Sequence, residues 1–342
     1  MDMKKQFDLL GLGELLLRLS PPDNERMTRG AIFGKQVGGA ELNVVTGAAM
    51  LGLRCGMISK LPGNDLGTFV KNTIRQGGVS DDYLVYDNDK DARLGVYYYE
   101  NGAYPRKPRI VYDRKYTSVN KISVDEYSRE MYASARCFHT SGITLALSPD
   151  VRETAIEMIK RFKASGTLIS FDVNFRGNLW TGEKARECIE RILPYVDIFF
   201  CSEDTARLTF LKEGDIRNIM KSFTEEYSIS VVAATRRIVH SPKRHTFGSM
   251  IYSAKEDTFY EEAPYEDIEV VDRIGSGDAY ISGVLYGYLS CEGDYRRALE
   301  YGNATSALKN TIPGDLLSTD LKEIDGIIRE HQSTGRIAEM DR

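Results

Sequence analysis

Cysteine and histidine are scarce in this chain, with five and four among 342 residues. Cys55, Cys137, Cys188, Cys201 and Cys291 form no CxxC pair and are odd in number, so buried, reduced thiols of a cytoplasmic protein are expected rather than a disulfide framework. His139, His240, His245 and His331 are scattered without cysteines at zinc spacing, which argues against a structural zinc. No apolar stretch approaches the roughly 20 residues of a membrane helix. Two lysines precede an apolar run at the N-terminus, but Asp8, Glu14 and Arg18 interrupt it and no small-residue cleavage site follows, so no secretory leader is expected. Surplus positive charge is missing too. The net charge of −5 is opposite in sign to that of a general nucleic-acid or membrane-surface binder, and neither partner is expected.

What is present is 42% apolar residues, enough to bury a core, and an alternation of short β-branched runs with longer amphipathic ones. Strands are expected at 7–12, 54–61, 136–140, 168–173, 198–201 and 229–234. Helices are expected at 40–51, 65–76, 150–164, 183–193, 214–226, 278–289, 295–308 and 320–331. That order predicts a doubly wound, mostly parallel α/β sheet with helices on both faces. Two tyrosine-rich pieces, 94–100 and 108–112, read as a hairpin around NGAYPRK, and a second hairpin is read at 246–252 and 258–260. Residues 28–38 and 93–116 interrupt the alternation and are expected to form a small β-sheet lid.

The strongest local feature is VVDRIGSGDAY at 270–280. A β-branched pair enters a turn of Gly275, Ser276 and Gly277, which opens a helix. Amides at such a helix start form an anion site, and Asp278 beside it could take a proton from a hydroxyl that attacks a phosphate. From this tetrapeptide alone, an ordinary glycine turn capped by Asp278 is the readier reading. The second feature is GGAELNV at 38–44, where Gly38 and Gly39 allow close approach to a polar ligand and Asn43, one turn on, offers amide hydrogen bonds. A flexible helix entry explains it as well. Gly11 and Gly13 lack the third glycine of a dinucleotide loop, and Gly34-Lys35-Gln36 lacks the spacing and hydroxyl of a Walker A loop.

Together, in this order and separation, the two glycine motifs resemble the paired signatures of the PfkB (ribokinase-like) carbohydrate kinases over roughly residues 7–330, with 1–342 as one kinase domain. The resemblance implies a ribokinase-like sheet with a β lid, ATP and Mg²⁺ as cofactors, and an open requirement for a monovalent cation. It implies Gly38, Gly39 and Asn43 as sugar contacts, Gly275, Ser276 and Gly277 as the anion hole and Asp278 as the base. By position it also implies Arg176 between sugar and nucleotide, Ser202, Thr235, Arg236 and Asn303 as nucleotide contacts, Glu203 positioning Mg²⁺ through water, and Asp315 near the site. The chain departs from the family pattern at Arg273 (usually Thr), Ser276 (Ala), Arg236 (Gly) and Ser202 (Asn).

HTSGITLALS, FDVNFRGNLW, VVDRIGSGDAY and ALKNTIPGD look like 2-keto-3-deoxygluconate kinases. In those enzymes a tyrosine and a Y-x-R face the acid sugar, matching Tyr97, Tyr112 and Arg114. An arginine fork with a tyrosine hydroxyl suits a carboxylate. The expectation is phosphorylation of the C6 hydroxyl of 2-keto-3-deoxygluconate by a homo-oligomer paired through its lids. The alternatives are a kinase of 2-keto-3-deoxygalactonate, fructose or ribose, and a non-catalytic sugar-binding regulator.

Overall fold

Strands that are apolar on both faces need a cover on each side. The computed structural model, which describes residues 5–333, provides both covers. In chain order the strands are β1 (Phe7–Leu12), β2 (Leu16–Ser20), β3 (Gly34–Gly38), β4 (Cys55–Pro62), β5 (Val79–Asp87), β6 (Gly95–Glu100), β7 (Arg109–Asp113), β8 (Ala135–Ser141), β9 (Leu168–Asp172), β10 (Ile198–Phe200), β11 (Val231–Ser241), β12 (Arg244–Ser253), β13 (Thr258–Glu261) and β14 (Tyr265–Glu269). The α-helices are α1 (Ala40–Met50), α2 (Asp65–Gln76), α3 (Arg129–Ala133), α4 (Gly142–Ala146), α5 (Pro149–Ala164), α6 (Gly182–Glu190), α7 (Glu203–Phe210), α8 (Ile216–Tyr227), α9 (Ser276–Ser290), α10 (Tyr295–Asn310) and α11 (Leu321–Gln332).

The large sheet runs β13-β12-β11-β10-β9-β8-β1-β4-β5, with β14 beside β12. It is parallel from β11 to β5 and antiparallel beyond β11. Alternate residues of a strand reach opposite faces. Val231 and Ala233 therefore join the core under α1, α9 and α10, while Val232 and Ala234 join the core under α5 and α8. The helices start where side chains cap them: Asn64 accepts from the amides of Leu66 and Gly67, and Ser148 caps α5 ahead of Pro149.

Chain order reverses between β1 and β8. The chain leaves β1 toward β4 and β5, then returns to β8 and moves out toward β11. In such sheets ligands bind beyond the carboxyl ends of the strands at this reversal. Over it stands a second sheet, β3-β2-β6-β7, in which Tyr97 lies opposite Tyr112. Segments 28–38 and 93–116 supply three of its strands. The fourth, β2, was not expected, because its leucines read as a continuation of β1; the chain instead crosses between sheets at Gly13–Leu15. Strand β5 was also missed. It is an edge strand carrying Ser80, Asp81, Asp82 and Asp87 among its nine residues, so its apolar signal is weak. Among the described residues, no helix is long and apolar enough to cross a membrane.

Candidate active site

Helix α9 begins at Ser276, with Gly275 as its N-cap at φ 81°. A Cβ there would collide with the backbone carbonyl of Asp315, so both conformation and space demand glycine. Asp278 is thus the third residue of the helix and not its cap. Its carboxylate turns away from the helix amides and accepts a 2.6 Å hydrogen bond from Asn43 Nδ2. Asn43 reaches it from α1, whose N-cap Gly39 has φ 154° and would drive a Cβ into the carbonyl of Glu14. The two glycine motifs, 235 residues apart, meet at this bond. Asn43 Oδ1 stays buried without a partner, an acceptor aimed at nothing in the protein.

A cavity of about 500 Å³ opens above this pair. Gly39, Asn43, Tyr97, Tyr112, Arg114, Arg176, Gly275, Ser276, Gly277, Asp278 and Asp315, all singled out from the sequence, line it. Gly38 sits behind, its Cα against the Asp315 carboxylate. A smaller cavity of about 180 Å³ adjoins it, sharing Asp172, Asn174, Arg176 and Gly277 and adding Ser202 and Thr235. Besides Gly38, three expected residues line neither. Arg236 points to solvent from β11. Asn303 is buried on α10, donating to Glu262 at 2.7 Å and accepting from Ser249 at 2.6 Å. Glu203 is held by Arg207, one turn along α7, at 2.6 Å.

The cavity also contains charged groups that the motifs did not reveal. Glu14, beyond β1, accepts from Arg114 Nε at 2.8 Å, from Arg114 Nη2 and from Thr117 at 2.8 Å. The Arg114 fork is therefore already engaged by a carboxylate. Glu41 accepts from Ser141 at 2.6 Å and Thr144 at 2.7 Å. Burial pushes both glutamates above their usual range, against these bonds. Asp172, at the carboxyl end of β9, is pushed up to about 7 by burial and by the charge of Asp278. Asp278, though open to the cavity, is held up to about 7 by desolvation, with Asn43 and Arg176 opposing and Glu41 and Asp315 adding. Arg237 and Arg273 complete its charged lining. A carboxylate inside a leucine run (Glu14), or one ending an apolar strand (Asp172), was the available signal for the missed acids. Strand periodicity alone could have suggested Arg237 over Arg236.

Asp315 is buried at the cavity wall. Its carboxylate takes Arg18 Nη1 at 2.7 Å and the Tyr97 hydroxyl, while Arg18 Nη2 reaches Asp272 at 2.5 Å. The arrangement brings a carboxylate of near-neutral pKa, a row of helix-start amides and unpaired arginines around one space. It can accept a proton from a hydroxyl while neutralising charge on a phosphate.

Comparison with known proteins agrees. The pfkB family carbohydrate kinase profile matches residues 7–320. A 2-dehydro-3-deoxygalactonokinase of Haloferax volcanii is 34% identical over 94% of this chain and 96% of that protein. A 2-dehydro-3-deoxygluconokinase of Bacillus subtilis is 27% identical over 91% and 92% respectively. The crystal structure of a 2-dehydro-3-deoxygluconokinase from Thermotoga maritima superposes with a TM-score of 0.89 at 31% identity, covering 94% of this chain and 99% of that one. Its sheet order, its glycine-turn cavity and a match over nearly its whole length make this chain a member of the pfkB family of carbohydrate kinases.

Proposed function

We propose that the protein transfers the γ-phosphoryl group of MgATP to the C6 hydroxyl of a 2-keto-3-deoxyaldonic acid, with 2-keto-3-deoxygluconate as the first substrate. The observation that carries this is the Asn43–Asp278 bond at the mouth of the glycine turn, inside one cavity with Tyr97, Tyr112 and Arg114. Asp278 accepts the hydroxyl proton as the sugar oxygen bonds to the γ-phosphorus. The bond to the β–γ bridging oxygen breaks and ADP leaves. The amides of Gly275, Ser276 and Gly277 and the Arg176 guanidinium offset charge on the transferring group. Ser202 and Thr235 face the nucleotide from the smaller cavity. Gly39 and the free Asn43 Oδ1 face the sugar, and Asp315, with Gly38 packed against it, sets the floor. Mg²⁺ enters with the nucleotide; Glu203 is paired with Arg207 beside the Ser202 and Thr205 that line the smaller cavity.

A second reading, 2-keto-3-deoxygalactonate, is favoured by the 34% identical Haloferax volcanii relative. The two acids differ at one hydroxyl-bearing carbon. ADP release assayed with both acids, fructose and ribose tests the proposal. Turnover of only fructose or ribose would remove the acid-sugar claim, and absence of any turnover with sugar binding intact would favour a non-catalytic sugar-binding regulator. Lid-to-lid pairing through the exposed Ile110 and Val111 of the edge strand β7 is our proposal for assembly.

Arg114 meets Glu14 through two of its nitrogens, so its remaining donors are what an acid substrate would use. Arg114→Ala is expected to lower kcat/KM for the acid sugar by about 30-fold or more, the low end of losing a buried charged partner, and to change fructose little. An equal fall for both would reduce Arg114 to a prop for Glu14.

The acid limb of the rate profile is expected near pH 7. Asp278 accepts a proton only when ionised, so kcat/KM rises with pH through about 7, where desolvation places the group. The charges of Asp172 and Asp278 oppose each other's ionisation. Asp172→Asn is therefore expected to move the limb to lower pH; a limb that stayed put or moved up would refute the coupling.

A further inference from the structure

Three arginines line the cavity without an ion-pair partner among the described residues. The ion pairs around it join Arg18 to Asp272 and Asp315, and Arg114 to Glu14; among the described residues none includes Arg176, Arg237 or Arg273. Arg176 is near enough to stabilise the ionised forms of Asp172 and Asp278, but makes no contact with them. Arg273 Nε is buried with no hydrogen-bond partner. Arg237 has its guanidinium held below the usual range by desolvation, then by Arg273 and Arg176. Like charges are held together unpaired only at some cost, and clefts with such perturbed groups are favoured places for ligands.

Position decides which anion they await. The carboxylate-recognising end of the cavity, with Glu14 and Arg114, lies beyond β1. Arg237 rides on β11, four places along the sheet, roughly 19 Å away at the usual strand spacing. Residues two apart on a strand share a face, so β11 turns Thr235 and Arg237 to the side of the cavities, Arg237 at the exposed rim of the larger one, while Arg236 faces the other way. Thr235 lines the smaller cavity, which meets the larger one at Gly277 and Arg176. Arg273 directly precedes the glycine turn. A chain of phosphates running from Thr235 across the amides of Gly275–Gly277 would end among the three guanidiniums.

We propose that Arg237 and Arg273 are phosphate-binding residues that clamp the polyphosphate of the nucleotide, with Arg237 in the place first expected of Arg236. The inference rests on the kinase reading for its ligand but not on which sugar is used. Guanidiniums fork onto phosphate oxygens and bind them by charge-assisted hydrogen bonds.

The test uses the full chain, with inorganic tripolyphosphate and ATP as probes. Arg237→Met and Arg273→Met are each expected to weaken tripolyphosphate binding by about 10- to 100-fold in calorimetry, the range for a hydrogen bond to a charged group. Each should raise the KM for ATP similarly while leaving the KM for the sugar near wild type. Arg237→Lys should recover part of the loss. Because the three charges repel, Arg237→Met without ligand is expected to melt above wild type, and with tripolyphosphate below it, a reversal no purely structural arginine would produce. Unchanged tripolyphosphate affinity in both methionine variants would overturn the inference. So would a rise in the acid sugar's KM alone, which would assign these arginines to the sugar carboxylate, or a ligand-free melting point lower than wild type. A wild-type protein that binds tripolyphosphate yet turns over no acid sugar would sink the substrate proposal and support this one.

Discussion

Asp278→Asn is expected to lower kcat by about 10³-fold, within the usual range for loss of a general base, while the KM values for ATP and sugar stay near those of the wild type. The amide is isosteric, and its oxygen can still accept the 2.6 Å hydrogen bond from Asn43, so the geometry of the glycine turn survives. Only the capacity to take a proton is lost. The substitution also has a signed effect on stability. The folded carboxyl is raised to about 7 from 3.8, so its ionised form weighs against the native state, increasingly so as pH climbs from 3.8 to 7 and fully above that. Asp278→Asn removes this burden and is expected to melt above wild type at pH 8, with the gain vanishing near pH 4. Stopped turnover with raised stability is the signature of a group kept for chemistry. Near-normal turnover in the variant would refute the mechanism, and a lower melting point at pH 8 would refute the environment assigned to Asp278.

Arg18→Met is expected to cost about 3–5 kcal/mol, the usual loss when one partner of a buried ion pair is removed. Arg18 is 2% exposed, Asp272 3% and Asp315 4%, so water cannot replace the missing guanidinium. Its Nε also donates to Ser20 at 2.9 Å, and its guanidinium lies 4.5 Å from the centre of the Tyr99 ring. The same residue ties β2 of the small sheet to the segments on either side of the glycine turn, so loosening should reach the site as well. Urea unfolding reads the loss. Adding Asp272→Asn and Asp315→Asn to Arg18→Met should restore much of it, since the uncompensated charges are what destabilise. The variant should also gain stability as pH falls, because burial already pushes the Asp315 carboxyl upward and protonation would neutralise it. A loss below about 1 kcal/mol, the worth of an exposed pair, would show the network to be solvent-screened.

Much of this was legible without coordinates. Apolar runs of strand length alternating with amphipathic runs were enough for a parallel sheet covered on both faces, because each apolar face must be buried. The elements that escaped included the polar edge strand β5, the short β2 and β14, and the short helices α3, α4 and α7, each with too few residues or too weak a periodicity to stand out. The glycine turn was legible because only glycine tolerates the conformation and the contact at Gly275. The Asp278–Asn43 pairing could only be anticipated as two motifs in a familiar order.

By itself, then, the sequence determined the class of sheet, the lid and the glycine turn, since each follows from local periodicity or from a residue type with one physical use, while the acid beside the turn gained its expected role only from the resemblance of two motifs in order. Tertiary structure alone decided the partners. Arg114 meets Glu14 across 100 residues, and Arg18 meets Asp272 and Asp315 across 254 and 297. Of the two adjacent arginines on β11, Arg237 and not Arg236 borders the cavity, as alternation of strand faces requires once the strand is placed. Pairing of charges depends on which distant segments the fold brings within hydrogen-bond reach, and no local pattern carries that information.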